Sequence, residues 1–342
     1  MAPIQPHYLV SKKTRSINKQ KATILGGHTN MDFKNIVVAG GGVLGSQIAL
    51  QSAYKGFEVT IWLRSEASIE RATPKLQRFR DIYIATLEAM KTNPAAYARG
   101  LADSPQTPAE KLDQLKEQAL HAFESLKLTT SYEEAFSHAD LVIEAIAEDP
   151  QQKIDFYTQA ARFLPEHAII CTNSSTMLPS MFASYTGRPE KYLALHFANE
   201  IWRNNTAEVM GHAGTEQKYY DQVVEFAKAI GMVPLCLKKE QPGYILNSML
   251  VPFLSSAQML AATGVADIET IDQTWRLGTG APLGPFQILD IVGLTTAYNI
   301  IAMDPEAKDP ESVKGKIATM LKSYIDEGKL GVNAGEGFYS YR

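Results

Sequence analysis

The segment NIVVAGGGVLG, residues 35–45, places a short apolar strand directly before a glycine-rich turn and the start of a helical pattern. In its GxGxxG spacing, Gly40 permits a tight turn, Gly42 lets the backbone approach a pyrophosphate, and Gly45 lets helix and strand pack closely. The first N–H groups of the helix then face the anion. In this context the motif indicates a dinucleotide site, whereas an isolated GxGxxG would fit an ordinary glycine-rich turn equally well. The predicted cofactor contacts are Gly40, Gly42, Val43, Leu44 and Gly45.

Beyond this segment, short apolar runs alternate with longer amphipathic stretches, which is typical of a parallel sheet with crossover helices. The predicted strands are residues 35–39, 58–62, 126–130, 141–145, 169–172, 192–196 and 234–237. Residues 68–125 predict a helical hairpin with a polar break at 93–107. From residue 241 onward the periodicity is helical. The sequence therefore predicts an α/β fold, in which an N-terminal Rossmann domain (31–240), a doubly wound sheet with an inserted helical hairpin, precedes an all-α C-terminal domain (241–342).

The distribution of charge along the chain indicates a separate N-terminal leader and argues against nucleic acid as a partner. The chain has 342 residues, and residues 1–30 carry five basic side chains and no acid. We expect this basic leader to lie outside the fold, as an appended tail or an extension from an upstream start, with a transit peptide as the alternative. The net charge of −4 becomes more negative without the leader, so nucleic acid is not an expected partner.

Two further features concern membranes and metals. No apolar run approaches the roughly 20 residues that a membrane span requires, so no membrane association is expected. The two cysteines, Cys171 and Cys236, are far apart and lack CxxC spacing. We therefore expect neither a disulfide nor a metal site, and we expect a cytoplasmic location.

The residue expected to bind the adenosine ribose is missing. In NAD sites an acid about 20 residues after the glycine motif binds the ribose 2′-hydroxyl. Here the strand at 58–62 is followed by Leu63, Arg64 and Ser65. A guanidinium matches a 2′-phosphate, so the cofactor is NAD or NADP, with Arg64 as a predicted contact. The alternative is that Arg64 is a solvated loop residue.

Polar residues follow two of the predicted strands. The run TNSS, residues 172–175, ends one strand, His196 ends the next, and Glu208 lies 12 residues further along. Ligands in open α/β sheets bind at the carboxyl ends of the strands. A short hairpin or crossover would bring the Glu208 carboxylate to the imidazole, where it would fix the tautomer and stabilise the imidazolium. Taken alone, His196 would fit a buried core histidine.

Several segments together resemble the 3-hydroxyacyl-CoA dehydrogenase family over residues 35–342. The matching segments are residues 144–148 (EAIAE), 173–175 (NSS), 195–199 (LHFAN), 207–209 (AEV), 242–247 (PGYILN), 284–286 (GPF), 289–294 (LDIVGL) and 337–339 (GFY). The resemblance implies an oxidoreductase that interconverts a short-chain 3-hydroxyacyl-CoA and the 3-ketoacyl-CoA by hydride transfer with NAD or NADP. It also implies a homodimer formed through the helical domain.

The resemblance also implies roles for single residues. It assigns catalysis to His196, Glu208, Ser174 and Asn247, substrate binding to Ser174, Asn199 and Asn247, and cofactor contacts to Glu148 and Lys153. In this interpretation His196 takes the proton of the substrate 3-hydroxyl, and Glu208 orients its ring. Without the resemblance, Lys153 fits a helix-surface charge and Asn247 fits a helix N-cap. No metal is implied.

One departure from the family leaves the substrate open. The proline-rich continuation after Asn199 is replaced by EIWRNN at 200–205. Trp202 in this segment either closes the acyl pocket and favours short chains, or is an exposed or core tryptophan. The hairpin at 68–125, where the family receives CoA, offers no residue match.

Three alternatives follow. The first is a dehydrogenase of the same family acting on a free hydroxy acid of the sugar-acid or carnitine type. The second is a nonenzymatic dinucleotide-binding protein, which would have no need for His196 and Glu208 together. A 6-phosphogluconate type is excluded because Gly243 stands where its catalytic lysine would be, four residues before Asn247.

Overall fold

The computed structural model describes residues 33–341, so the predicted basic leader lies outside the described residues. The strands in this part of the chain are β1 (Asn35–Ala39), β2 (Glu58–Trp62), β3 (Lys127–Thr129), β4 (Leu141–Glu144), β5 (Ile169–Thr172), β6 (Tyr192–Phe197), β7 (Thr206–Gly211) and β8 (Val233–Cys236). They form one sheet in the order β3-β2-β1-β4-β5-β6-β7-β8.

Helices pack against this sheet and then continue beyond it. The helices within the sheet region are α1 (Val43–Tyr54), α2 (Glu66–Met90), α3 (Ala109–Ser125), α4 (Tyr132–Phe136), α5 (Pro150–Ala160) and α6 (Gln217–Ala229). Those that follow are α7 (Leu246–Ala262), α8 (Ile268–Thr279), α9 (Pro285–Val292), α10 (Leu294–Ala302) and α11 (Val313–Asp326). Short 3₁₀ helices occupy Pro94–Ala96, Pro179–Met181, Ala183–Thr186, Pro189–Lys191, Pro305–Lys308 and Val332–Ala334. No helix among residues 33–341 is both long enough and apolar enough to span a membrane.

Strand direction sets where ligands can bind. Neighbouring strands from β3 through β6 pair in parallel, β6 and β7 pair antiparallel, and β7 and β8 are parallel. The chain order reverses between β1 and β4, which is the switch point where doubly wound sheets bind ligands. The predicted fold class is confirmed, including the α2 and α3 hairpin and the all-α C-terminal part.

The predicted strands agree with the structure to within one residue at each end, but β7 was not predicted as a strand. Residues 206–211 read TAEVMG, and the buried Glu208 interrupts the apolar run that marks a strand buried on both faces. The sequence therefore allowed either a hairpin or a crossover at this place. The structure shows a hairpin.

Apolar side chains cover both faces of the sheet because successive residues of a strand point to opposite sides. Along β1, Ile36 and Val38 enter the cluster formed with α1 and the hairpin, whereas Val37 enters a second cluster that includes Phe156 of α5. A third cluster lies within the helices from α7 to α11 and includes Phe286.

Trp202 belongs to the first of these clusters. It is 2% exposed, and its ring centroid lies 5.8 Å from that of Phe79 and 5.6 Å from that of Tyr83, both on α2. The main chain reinforces this position, since the Gly100 N–H donates to the Trp202 carbonyl at 2.8 Å. The core interpretation of Trp202 is therefore confirmed, and the acyl-pocket interpretation is wrong.

Candidate active site

The turn between β1 and α1 has the shape of a phosphate cradle. A Cβ on Gly40, which has φ +118°, would collide with the Ala145 carbonyl, and one on Gly45 would collide with the Gly40 carbonyl. A Cβ on Gly42 would meet no atom within 4 Å, so nothing inside the protein requires glycine there. The open space beside Gly42 therefore fits the predicted approach of a pyrophosphate. No side chain caps the start of α1, which leaves its first N–H groups available to an anion.

A cavity of about 530 Å³ opens beside this turn, between the carboxyl ends of β1, β2 and β4. That volume is within the range of small-molecule sites. Gly40, Gly42 and Arg64 line it, so the structure brings these predicted cofactor contacts together. The lining does not include the other predicted cofactor contacts, which are Val43, Leu44, Gly45, Glu148 and Lys153.

Lys153 is the centre of a buried polar network rather than a surface charge. It is 1% exposed, and its Nζ lies 2.6 Å from Glu144 and 3.4 Å from Glu148. The hydroxyls of Tyr157 and Thr172 also donate to Glu144, at 2.7 and 2.8 Å. Burial, followed by the Glu144 charge, raises the pKa of Tyr157, so its hydroxyl remains a donor. The network ties α5 to the ends of β4 and β5, and the helix-surface interpretation of Lys153 is wrong.

The two serines after β5 face different partners. The buried Ser174 Oγ donates to both carboxylate oxygens of Glu148, at 2.9 and 2.8 Å. The Ser175 Oγ lies 3.1 Å from His196 Nε2. The structure therefore places Ser175 beside the imidazole, whereas the resemblance implied Ser174 as the serine that contacts the substrate. The NSS motif by itself does not reveal which serine faces the imidazole, because both lie in the loop after β5.

His196 and Glu208 form a buried pair across the β6 and β7 hairpin. They are register partners in the antiparallel ladder, and His196 Nδ1 lies 3.0 Å from Glu208 Oε2. A carboxylate on Nδ1 favours the tautomer with its proton on Nδ1, which leaves Nε2 as the acceptor facing Ser175. The predicted contact between the His196 imidazole and the Glu208 carboxylate is thus present in the structure.

Glu208 also caps α7. Its Oε1 accepts the N–H groups of Ile245 and Leu246, each at 2.9 Å. Burial alone raises the pKa of Glu208, but the hydrogen bonds from His196 and from these two N–H groups outweigh it, so the net pKa is lowered. The carboxylate stays ionised and joins the sheet to the first helix of the C-terminal part.

Tyr244 packs flat against the histidine ring. The two ring centroids are 4.3 Å apart with an interplanar angle of 8°. The Tyr244 hydroxyl donates to the Ser174 carbonyl at 2.7 Å, and burial raises its pKa so that it stays protonated. Its φ of +54° is a left-handed conformation that costs about 1–3 kcal/mol in a residue other than glycine. Tyr244 thus connects the His196 ring to the Ser174 loop, a role that the PGYILN motif alone did not reveal.

The two predicted asparagines are less engaged. Asn247 is the second residue of α7, and Ile245 precedes the helix as its N-cap residue, so the capping interpretation of Asn247 is wrong. Asn199 is exposed two residues beyond β6. Neither side-chain amide makes a hydrogen bond within residues 33–341. Asn173 instead links the loops, since its Oδ1 accepts the Phe197 N–H at 3.1 Å. In the same described range, no three His, Cys, Asp or Glu side chains are grouped so that they could bind a metal.

A glycine-rich cradle after β1 and a histidine and carboxylate pair on β6 and β7, in one Rossmann sheet, are typical of a nicotinamide-dependent dehydrogenase. Residues 35–241 match the family model described as 3-hydroxyacyl-CoA dehydrogenase, NAD binding domain. Residues 243–341 match the corresponding C-terminal domain. The chain belongs to the 3-hydroxyacyl-CoA dehydrogenase family, as the motifs predicted, and is a nicotinamide-dependent oxidoreductase.

Individual relatives align over most of this chain. A mitochondrial hydroxyacyl-coenzyme A dehydrogenase of Rattus norvegicus is 31% identical, with 91% of this chain and 92% of the rat protein covered. A probable 3-hydroxybutyryl-CoA dehydrogenase of Bacillus subtilis is 29% identical, with 91% and 98% covered. A solved structure of a diketoreductase, described as catalysing reactions of dicarbonyl compounds, is 46% identical with a TM-score of 0.77, covering 90% of this chain and 99% of that one.

Proposed function

We propose that this enzyme interconverts a short-chain 3-hydroxyacyl-CoA and the corresponding 3-ketoacyl-CoA, with His196 as the general base. The observation that carries the proposal is the 3.0 Å contact between His196 Nδ1 and Glu208, which leaves Nε2, on the Ser175 side of the ring, as the proton acceptor. The family membership and the B. subtilis relative support the thioester and the short chain.

The glycine-rich turn, His196 and Glu208 have separate roles in the proposed reaction. The glycine-rich turn would hold the pyrophosphate of the dinucleotide, whose nicotinamide would supply the hydride acceptor for oxidation of the alcohol at C3 and the hydride donor for reduction of the ketone. His196 accepts the hydroxyl proton at Nε2 during oxidation and returns it during reduction. Glu208 holds Nδ1 as a donor throughout and stabilises the imidazolium that forms.

In this proposal two further side chains, Ser175 and Asn247, bind the substrate oxygen. The Ser175 hydroxyl lies on the Nε2 side of the imidazole, 3.1 Å away. Asn247 lies in the first turn of α7, and Glu208 anchors the backbone at the start of that helix. The Asn247 amide forms no hydrogen bond within residues 33–341, so it is available to a ligand. Ser174 supports them by holding Glu148 and by receiving Tyr244 at its carbonyl.

A second candidate substrate is a dicarbonyl compound without CoA. The specific observation is the 46% identity to the diketoreductase, compared with 31% to the rat hydroxyacyl-coenzyme A dehydrogenase. A 3-ketoacyl thioester is itself a 1,3-dicarbonyl, so the same proton transfer at His196 would serve both substrates. The difference lies in whether the protein binds CoA.

We also propose that the enzyme is a homodimer formed through the helical part. Large apolar side chains there are solvent-exposed in the single chain: Met249 is 62% exposed, Leu277 84%, Ile291 57% and Met303 83%. Exposed apolar surface of this kind is typical of subunit interfaces. Light scattering coupled to gel filtration should give twice the chain mass, and a monomer at micromolar concentration would contradict the proposal.

We propose a reducing compartment, the cytoplasm, as the location. Cys171 is buried and Cys236 is exposed, and both are free thiols. Burial raises the pKa of the Cys171 thiol and makes it unreactive, and the absence of a disulfide between the two cysteines is consistent with a reducing compartment. Fluorescent tagging at the C-terminus should show a diffuse cytoplasmic signal, whereas an organellar signal would contradict the proposal.

The reaction is tested by following the absorbance of reduced nicotinamide with acetoacetyl-CoA and, separately, with pentane-2,4-dione. Faster turnover of acetoacetyl-CoA supports the hydroxyacyl-CoA function, and faster turnover of the diketone supports the second candidate. No turnover of either, by a folded protein that binds dinucleotide, would reject both and move the assignment to a free hydroxy acid. Glu225→Gln, which alters only a surface pair with Lys228 on α6, is the matched control for every active-site variant.

A further inference from the structure

The cavity beside the glycine-rich turn carries more positive charge than an unphosphorylated ribose requires. Arg64, Arg71 and Lys75 all line it, whereas Asp155 of α5 is the one carboxylate among the lining residues. Arg64 follows β2, at the strand end where the adenosine ribose of a dinucleotide lies in this fold. No acid stands there to accept the 2′- and 3′-hydroxyls of that ribose.

The packing of α2 explains why these cations converge. A Cβ on Gly41 would lie 2.6 Å from the Ala72 Cβ, so the helix presses against the glycine-rich turn. Ser68, Arg71 and Lys75 are spaced by three and four residues, which places them on one face of α2. That face lines the cavity.

The three cationic side chains form few interactions with the rest of the protein. Across the described residues, 33–341, none of them forms an ion pair with a carboxylate. The Arg64 guanidinium donates to Gln152 at 3.3 Å, Arg71 donates to the Ser68 hydroxyl at 2.9 Å, and Lys75 donates to the Gly41 carbonyl at 3.4 Å. Most of their donors therefore remain available to a ligand. The opposing Asp155 is itself hydrogen-bonded by Gln151 at 2.8 Å.

We propose that Arg64, Arg71, Ser68 and Lys75 form a subsite for the 2′-phosphate of NADP(H), so that the enzyme prefers NADP(H) to NAD(H). A planar guanidinium binds a phosphate through two parallel hydrogen bonds, and the lysine adds a third positive charge. The unphosphorylated ribose of NAD(H) would leave these charges uncompensated. The proposal deepens the proposed function, because it concerns which dinucleotide serves the same hydride transfer.

The test measures binding without substrate, by calorimetric titration with adenosine 2′,5′-bisphosphate and with 5′-AMP. The wild-type protein should bind the bisphosphate more tightly by about tenfold or more, the gain that one or more charge-assisted hydrogen bonds provide. Arg64→Gln and Arg71→Gln should each remove most of that gain while changing the affinity for 5′-AMP by less than about twofold. The same ratio should appear with NADPH and NADH, and it should shrink as salt is raised.

Arg78→Gln is the matched control, because Arg78 lies exposed on the same helix, seven residues or about 10 Å beyond Arg71, and outside the cavity lining. It should leave the ratio unchanged. Equal affinity for the two nucleotides, or an equal loss of both in Arg64→Gln, would overturn the proposal. Neither ligand contains the acyl substrate, so failure of the proposed acetoacetyl-CoA reaction would leave this result intact, and the two failures remain distinguishable.

Discussion

Glu208→Gln separates the orienting role of this side chain from its role in holding α7. The carboxylate accepts from His196 Nδ1 at 3.0 Å with one oxygen, and from the Ile245 and Leu246 N–H groups at 2.9 Å with the other. A glutamine keeps one acceptor, which the two helix N–H groups would take. Its amide NH₂ would then face Nδ1 and force the ring proton onto Nε2. Because the base has become a donor, kcat should fall by about 10⁴-fold, as for an amide replacing an orienting carboxylate in other histidine pairs.

The stability cost of the same substitution should be small. The helix N–H groups keep an acceptor, so the loss is about 1–2 kcal/mol for the weakened, uncharged hydrogen bonds. Glu208→Ala removes the acceptor altogether and leaves three donors unsatisfied, the two helix N–H groups and the His196 Nδ1–H, at about 1–3 kcal/mol each. Urea unfolding should therefore rank the wild type above the glutamine variant, and both above the alanine variant.

The pH dependence of stability follows from the pKa of Glu208. Burial raises this pKa, but the hydrogen bonds from His196, Leu246 and Ile245 lower it by a larger amount. The pKa of Glu208 therefore lies below the ordinary value in the folded protein. Its contribution to the free energy of unfolding is fully present above the ordinary carboxyl pKa, and it is lost as the pH falls through the folded pKa. The stability curves of the wild type and the glutamine variant should converge in acid and separate toward neutral pH.

The assay compares kcat for acetoacetyl-CoA reduction in Glu208→Gln and in the surface control Glu225→Gln, with dinucleotide affinity as the check on folding. A Glu208→Gln enzyme that stays within about tenfold of the wild-type kcat would refute the reasoning, because it would show that the tautomer of His196 does not depend on this carboxylate.

Substitutions at four other residues test the remaining contacts. His196→Ala should abolish turnover while leaving calorimetric dinucleotide affinity unchanged, because the proton transfer and the phosphate cradle use different residues; full activity would reject the mechanism. Ser175→Ala should lower kcat with little change in Tm. Ser174→Ala should instead lower Tm, by about 2–4 °C for each kcal/mol lost with its hydrogen bonds to Glu148. A larger loss of kcat in Ser174→Ala than in Ser175→Ala would restore Ser174 as the substrate contact. Tyr244→Phe keeps the ring stack and loses only the hydrogen bond to Ser174, so its kcat should lie between those of the wild type and Tyr244→Leu; equal kcat in the two variants would show that the stack has no effect on His196.

Much of the fold was readable from local pattern. Strands buried on both faces must be apolar throughout, and the turn after β1 must be glycine-rich to avoid the collisions seen at Gly40 and Gly45. Both requirements act over a few residues and therefore appear directly in the sequence. Strand β7 was not predicted because Glu208, a buried charged residue of the candidate site, interrupts its apolar run.

The arrangement within the site depended on contacts between distant residues. Tyr244 and Ser174 are 70 positions apart, and the direction in which each side chain points follows from how α7 meets β5 and β6. The same is true of Arg71 and Lys75, which reach the cavity because α2 packs on the glycine-rich turn. The sequence identified the chemistry of the residues, His196 and Glu208 above all, because their types and order are local facts. Which serine faces the imidazole and which cations face the cofactor are decided only when long-range packing sets the orientation of each side chain.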